Sequence, residues 1–289
     1  MPDITQTLAA AKTRGLEHLD AQLLLLHALG TAPVQASACR TWLIAHGDEP
    51  VSAQTLSRFA QLMQRRSSGE PLAYITGHKE FFGLGLQVDP RVLIPRPDTE
   101  TLVLWTLEVL GVLKAMQFDP PIAVLDLGTG TGAIALALKH TMQDLQVDAV
   151  DASADALQVA RANAVALGLQ VQFSQGSWLE QVERQYHCIV SNPPYVAARD
   201  PHLATLAYEP MQALVSGPDG LDDIRHIVST AQIHLYPGAW LLIEHGYSQA
   251  RAVRALFAAA GYRDVGSRSD LGGHERCTGG RSPGAIHCA

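Results

Sequence analysis

From residue 121 onward, short apolar runs alternate with helical patterns, and this alternation constrains the fold more than any other feature of the chain. Strands are predicted at 122–125, 147–150, 171–173, 187–190 and 240–243, with weaker candidates at 262–267 and 275–278. Between them, helical spacing predicts helices over 133–140, 154–167 and 248–260. Such alternation gives an α/β domain built on a mostly parallel sheet with helices on both faces. The tail 279–289, rich in Gly and Ser with a Pro, is expected to be unstructured, with 282–289 set outside the domain as a disordered tail.

The chain ahead of this region reads differently. Residues 1–76 are predicted to be helical. Leu8, Ala11 and Leu16 are loosely spaced for one helix, and the Leu-rich run 19–29 ends at Gly30, a natural C-cap. Leu56, Phe59, Ala60 and Met63 mark one face of a further helix, with Ser52 as its N-cap. Arg65 and Arg66 end that helix, where its dipole favours cations. Residues 77–98 are punctuated by Gly77, Gly83, Gly85, Pro90, Pro95 and Pro97, with β-like stretches at 85–88 and 92–94. This is the pattern of a β-hairpin linker between two domains. Helical periodicity resumes after Asp98, the expected N-cap, and the second domain is expected to span 99–281.

Composition narrows the class. Hydrophobic residues make up 47% of the 289 residues and charged residues 17%, a folded rather than a disordered balance. A net charge of −7 argues against dedicated binding of a nucleic-acid duplex. Cys39, Cys188, Cys277 and Cys288 have no zinc-ligand spacing, so no metal is expected, and reduced thiols in a cytoplasmic protein are the simplest reading. No signal peptide and no apolar run near the roughly 20 residues that span a bilayer is recognised, so no membrane partner is expected.

The chemistry lies in three places. Asp126-Leu127-Gly128-Thr129-Gly130-Thr131-Gly132 joins a strand to a helix. Glycines there let a ligand approach the backbone at the carboxyl edge of the sheet. The spacing is G-x-G-x-G rather than G-x-G-x-x-G. The carboxylate of Asp126 disfavours a pyrophosphate and suits a ligand carrying an ammonium group, directly or through water; with the flanking strand and helix, a nucleoside-type ligand is expected. Asp151 ends the second strand about 20 residues further on, where a carboxylate can accept from both hydroxyls of a ribose; the alternative is that it only caps the next helix, with Ser153 competing for that role. Asp148, on the strand itself, is given no role.

The third place, Ser191-Asn192-Pro193-Pro194-Tyr195, follows the fourth strand and is the most specific feature of the chain. Two prolines stiffen the backbone and withhold two N–H groups, leaving a loop rich in carbonyls. The side-chain oxygen of Asn192 and the carbonyl of Pro193 can both accept from one planar NH₂ group, and Tyr195 offers a flat face for stacking. An amide nitrogen is a poor nucleophile because its lone pair is delocalised. Two acceptors that pin its hydrogens orient it for attack.

Together these features resemble class I S-adenosyl-L-methionine-dependent methyltransferases acting on an amide or exocyclic amino nitrogen. The likeness narrows further. The runs 71–83 (PLAYITGHKEFFG), 92–100 (VLIPRPDTE), 125–136 and 190–196, together with Tyr208-Glu209-Pro210, Ala213-Leu214, Asp219-Gly220-Leu221 and Glu244-His245-Gly246, resemble the release factor glutamine methyltransferases, the PrmC/HemK family. The resemblance spans roughly residues 5 to 281. It implies a Rossmann-like seven-stranded sheet behind a helical substrate-recognition domain over 1–76. It also implies methyl transfer to the side-chain nitrogen of the Gln in the Gly-Gly-Gln loop of peptide chain release factors. By the same resemblance, Gly128, Thr129, Gly130, Thr131, Gly132, Asp151, Trp178 and Asn192 bind the cofactor, and Asn192, Pro193, Pro194 and Tyr195 bind the substrate. Asn192, Pro193 and Tyr195 form the catalytic group. Ser177 stands where relatives often have Asp, leaving the adenine amine to Ser177 or a backbone group. Ala207 stands where relatives often have a basic or polar residue. Trp178 is a wall for adenine or simple core. His245 and Glu244 receive structural readings.

Other functions compete. A glutamine methyltransferase acting on a ribosomal protein shares the catalytic motifs, but the run 94–100 favours the release-factor group. A DNA adenine methyltransferase shares Asn-Pro-Pro-Tyr, but the acidic balance and the absence of a recognisable target-recognition domain oppose it. A catalytically silent nucleoside-binding scaffold is opposed by the intact motifs.

Overall fold

A computed structural model of the chain describes residues 1–30, 36–115 and 121–284. They divide into two compact units, Met1–His78 and Lys79–Ala289.

The first unit is all helix: α1 (Ile4–Thr13), α2 (His18–Leu29), α3 (Ala36–Ala45), α4 (Ala53–Ser67) and α5 (Leu72–Thr76). Its helix ends follow from local chemistry. Asp3 and Gln6 form a reciprocal capping box on α1, Gly30 closes α2 in the left-handed conformation, and Ser52 caps α4. Ile4, Leu24, Leu25, Phe59, Leu62 and Ile75 build its core. Arg65 pairs with Glu70 at 2.5 Å and Arg66 with Asp20 at 2.6 Å, so the cations ending α4 close on partners within the unit.

The second unit opens with a hairpin, β1 (His78–Phe81) and β2 (Leu84–Gln87). Its two turn residues, Phe82 and Gly83, both have positive φ, the geometry of the tightest hairpin turns. The hairpin is not a free connector. Phe81, Leu84 and Leu86 are buried in the core of this unit, and Asn163 holds the backbone of Gln87 at both its N–H (2.7 Å) and its carbonyl (3.1 Å). Residues 92–94, expected as β-like, form no strand, although Val92 and Ile94 are buried. Asp98 is not an N-cap either: it lies in a 3₁₀ turn, Pro97–Thr99, that runs into α6 (Glu100–Ala115), and it pairs with Arg276 at 3.0 Å.

The alternating region then gives β3 (Ala123–Leu127), α7 (Ala133–Thr141), β4 (Gln146–Asp151), α8 (Ala154–Leu167), β5 (Gln172–Gln175) and β6 (Tyr186–Ser191). It continues with α9 (Asp222–Thr230), β7 (Leu235–Glu244), α10 (Ala250–Ala259), β8 (Arg263–Ser269) and β9 (Glu275–Arg281). The seven-stranded sheet has the order β5-β4-β3-β6-β7-β9-β8. Its pairings are parallel except at β9, which runs antiparallel to β7 and β8. Along β3 the side chains alternate between layers. Val124 packs with α6 and α7, while Leu125 and Leu127 pack with Ile224 and Ile227 of α9 and Phe257 of α10.

The expectation of an unstructured end fails for residues 279–282. Gly279, Gly280 and Arg281 complete β9, and Ser282 donates its N–H to Ala239 and its hydroxyl to Tyr236. The glycine at 279 is a packing requirement, because a Cβ there would lie 2.3 Å from Leu242 and 2.9 Å from Trp105. The rest of the expected tail, 285–289, lies outside the described residues, as do Cys288 and the side chain of Cys39. Cys188 and Cys277 are free and buried. Among the described residues no helix is long and apolar enough to cross a membrane, and no cluster of His, Cys, Asp and Glu could hold a metal ion.

Candidate active site

Register brings the candidate residues to one edge of the sheet. Leu127 of β3 lies beside Val150 of β4 and Ser191 of β6, and Ser191 lies beside Ile243 of β7. The residues that follow or end these strands, Gly128, Asp151, Asn192 and Glu244, therefore share the carboxyl edge, where ligands bind in such sheets.

The glycine turn is held against β4. The N–H groups of Gly128 and Thr129 both donate to the carbonyl of Val150, at 2.8 and 3.0 Å. Asp126 sits behind the turn, fully buried, with Oδ2 accepting from the Thr129 hydroxyl (2.7 Å) and the Ala135 N–H (3.2 Å). Burial, reinforced by the charge of Asp151, pushes its carboxyl up to about 7 against these hydrogen bonds. In this position Asp126 shapes the turn, and its Oδ1 is buried without a partner. Asp151 is half-buried. One oxygen accepts from the Gly130 N–H (2.8 Å) and the other from the Ser153 N–H (2.9 Å), while the Ser153 hydroxyl takes the N-cap of α8. Each carboxylate oxygen keeps a further lone pair for a ligand. Burial raises the Asp151 carboxyl above its ordinary range.

A cavity of about 250 Å³ opens here, lined among others by Gly128, Gly130, Asp151, Trp178, Asn192 and Pro194. Of the other residues expected around the ligands, Thr129, Thr131 and Gly132 do not line it; they build the turn, and Gly132 begins α7. Pro193 and Tyr195 also stand outside its lining. Trp178 has a positive φ of 50°, its ring lies 3.2 Å from where a Cβ on Gly128 would stand, and its indole N–H donates to Asp223 at 3.2 Å. Ala152, Ser177, Asp223 and residues 91–93 also line the cavity. Asp223 was not singled out in the sequence, although Ile224, Ile227 and Val228 carry the helical spacing that would have located α9.

The Asn-Pro-Pro-Tyr loop is anchored on every side. The Ser191 hydroxyl donates to Leu127 (2.8 Å), Gln249 donates to the carbonyl of Tyr195 (3.0 Å), and Val196 bonds with Leu214 (2.8 Å). Asn192 donates through Nδ2 to the Thr99 hydroxyl (3.2 Å), and its Oδ1 is buried without a partner. The phenol of Tyr195 donates to Glu244 (3.4 Å), and burial, together with that carboxylate, holds the phenol above its ordinary pKa. Half-exposed Arg96 pairs with buried Glu209 and fastens the loop before α6 to the segment carrying Pro210, and Glu209 also accepts from the Ile94 N–H. His245 has both ring nitrogens engaged, by Gly246 (3.0 Å) and Thr278 (2.8 Å), so its structural reading stands.

Two family models match the chain: the PrmC N-terminal domain over residues 3–77 and the methyltransferase small domain over 110–214. The release factor glutamine methyltransferase of Burkholderia pseudomallei is 45% identical over 279 residues, with 93% of each chain covered. That of Xylella fastidiosa is 44% identical over 288 residues, covering 98% of this chain and 100% of its own, and that of Escherichia coli is 41% identical, with 91% of each covered. The chain belongs to the release factor glutamine methyltransferase family. Solved structures more distant in sequence share the fold. A methyltransferase from Pyrococcus furiosus matches with a TM-score of 0.51 at 16% identity, covering 78% of this chain and 98% of its own. The hMettl16 catalytic domain matches with a TM-score of 0.56 at 14% identity, covering 81% and 84%. The class I methyltransferase fold expected from the sequence, with its mostly parallel seven-stranded sheet, is thereby established.

Proposed function

We propose that this chain transfers a methyl group from S-adenosyl-L-methionine to the side-chain amide nitrogen of the Gln in the Gly-Gly-Gln loop of a peptide chain release factor, working in the cytoplasm. The observation that carries the reading is the Asn192 oxygen, an acceptor buried without a partner at the edge of the cavity. A buried acceptor left unmet costs about 1–3 kcal/mol, so it marks a place that a ligand completes.

The residues present fit the cofactor. Gly130 has nothing within 4 Å of where a Cβ would stand, leaving the turn open to close approach. Asp151 has lone pairs for the two ribose hydroxyls, and Trp178 presents an indole face at the cavity wall. When bound, the cofactor supplies a methyl group on a positively charged sulfur. The protein's part is to prepare the nitrogen. Asn192 Oδ1 and the Pro193 carbonyl accept from the two hydrogens of the target NH₂, fix its plane and favour loss of amide resonance as the nitrogen attacks. Tyr195 offers its ring to the flat amide. The proton lost after attack passes to water, so no side-chain base is required.

The relatives' names support the release factor as protein substrate. A single Gln loop cannot supply the roughly 1,600 Å² of a standard protein interface, so the helical unit over residues 1–76 is read as the part that recognises the rest of the partner. The test is transfer of a tritiated methyl group to purified release factors, with the site mapped by mass spectrometry. Label on the Gly-Gly-Gln glutamine is expected; label on a ribosomal protein or on DNA instead, or none, rejects the reading.

A further inference from the structure

An adenine base carries one amino group, at its 6 position, and a site becomes selective for the base by offering that group an acceptor. The sequence leaves this acceptor open between Ser177 and a backbone group. The structure puts a stronger one on the cavity wall. Ser177, Trp178 and Asp223 all line the cavity, the first two from the loop after β5 and Asp223 from the first turn of α9. The Trp178 indole spans the wall between the glycine turn and that helix. At one end its Cζ3 and Cη2 lie 3.2 and 3.5 Å from where a Cβ on Gly128 would stand. At the other its Nε1–H donates to Asp223 Oδ1 at 3.2 Å.

Asp223 is firmly placed. Its N–H donates to the Ser216 hydroxyl at 2.8 Å, and Ile224, Ile227 and Val228 seat the helix in the core beneath the sheet. Its neighbour Asp222 turns away from the cavity and pairs with Arg225 at 2.8 Å. Trp178 uses one lone pair of Asp223 Oδ1. Among the described residues no other group donates to this carboxylate, so Oδ2 remains for a ligand.

We propose that Asp223 is a cofactor-binding and specificity-determining residue whose carboxylate accepts from the 6-amino group of the adenine; this rests on the reading of the cavity as the S-adenosyl-L-methionine site. Chemistry favours it over Ser177. A serine hydroxyl donates as readily as it accepts, and Ser177 is exposed. An ionised carboxylate only accepts, and its charge makes the bond to an amine both stronger and more selective. One carboxylate then serves twice, Oδ1 setting the indole that walls the base and Oδ2 reading the base. With Asp151 assigned to the ribose, each polar end of the nucleoside has its own acceptor.

The experiment is a cycle that removes the amine from the ligand and the carboxylate from the protein. Isothermal calorimetry on the full chain measures Kd for S-adenosyl-L-homocysteine and for its analogue with hydrogen in place of the 6-amino group. The wild-type chain should bind the amine-bearing ligand about tenfold to a hundredfold more tightly, the scale of a hydrogen bond to a charged group. In Asp223→Ala this ratio should fall to within about threefold. Asp223→Asn keeps the size of the side chain. With its Oδ1 still taken by the indole, its Nδ2 faces the amine, so the ratio should fall as far. Ser177→Ala should leave the ratio at its wild-type value. Trp178→Phe keeps an aromatic wall without the N–H and should weaken both ligands alike. Equal binding of the two ligands by the wild-type chain overturns the proposal, as does a ratio that Asp223→Ala and Asp223→Asn leave in place. So do Asp223 variants that behave as Trp178→Phe does, since that marks a residue that only holds the indole. A wild-type chain that binds neither ligand rejects the cofactor reading itself, and this proposal with it.

Discussion

In the helical unit the capping and charged side chains close on partners inside the unit: Asp3 with Gln6, Ser52 with Thr55, Arg65 with Glu70 and Arg66 with Asp20. The sheet unit is different. Among the described residues, the buried side-chain atoms without a partner are Asp126 Oδ1, Asn192 Oδ1 and Glu244 Oε2. All belong to the sheet unit, each within one residue of the carboxyl end of one of three adjacent strands, β3, β6 and β7. Unmet acceptors are a standing cost in a folded protein. Gathered at one edge of one unit, they set a sheet edge with unmet acceptors, one of them on the cavity-lining Asn192, apart from a region whose polar groups complete each other.

The sharpest way to break this contrast is Asn192→Ala. Loss of a preorganised hydrogen-bonding group at a reacting centre typically costs about 10²–10³ in rate. Turnover on a Gly-Gly-Gln peptide should fall by that factor while thermal stability changes little, because Oδ1 has no partner in the fold and, among the described residues, the only side-chain bond of Asn192 is the 3.2 Å one from Nδ2 to the Thr99 hydroxyl. Near-native turnover would remove Asn192 from the chemistry.

Asp151→Ala should act on binding more than on rate. Removing one partner of a charged hydrogen bond costs roughly 1.5–3 kcal/mol, or about tenfold to a hundredfold in Kd. Isothermal calorimetry with S-adenosyl-L-methionine reads this directly, and an unchanged affinity would confine Asp151 to holding Gly130 and Ser153.

How much of this could be read from sequence depended on how local each signal was. The β3 turn, β4 and α8 were legible because strand, glycine spacing and cap lie within a few residues of each other; α8 runs over the predicted 154–167. The Asn-Pro-Pro-Tyr loop was legible because two prolines after a strand leave few structures open. The hairpin was misjudged as a linker, since glycine and proline punctuate a packed hairpin and a loose connector alike. Leu84, Leu86 and Val88, at two-residue spacing, carried the missed sign of burial. Glu244 was legible to no local rule. Its partner is Tyr195, distant in sequence and brought to it only by the fold.

The division of labour between the units can be tested by removing the first. A chain starting near Gly77 should keep its affinity for S-adenosyl-L-methionine, which also reports that it has folded. Its activity on intact release factor should fall about tenfold further than its activity on a short Gly-Gly-Gln peptide, the scale of losing one or more strong interface contacts. Equal losses on both substrates would mean that the helices support the catalytic fold rather than recognise the partner.

The smallest expected effect asks whether the two units are energetically separate. Ser52 Oγ accepts from the Thr55 N–H at 3.1 Å and caps α4. That helix carries Phe59 and Leu62 into the helical core and ends in Arg65 and Arg66. Replacing an N-cap serine with alanine leaves a helical N–H unsatisfied and costs about 1 kcal/mol. In Ser52→Ala this should appear as a lower denaturation midpoint for the helical unit. The cofactor Kd and turnover on a short Gly-Gly-Gln peptide should stay at their wild-type values, because the substitution touches none of the unmet acceptors at the sheet edge. A shift in cofactor affinity would show that strain in the helices reaches the carboxyl edge of the sheet, and the contrast drawn between the units would have to give way to a coupled system.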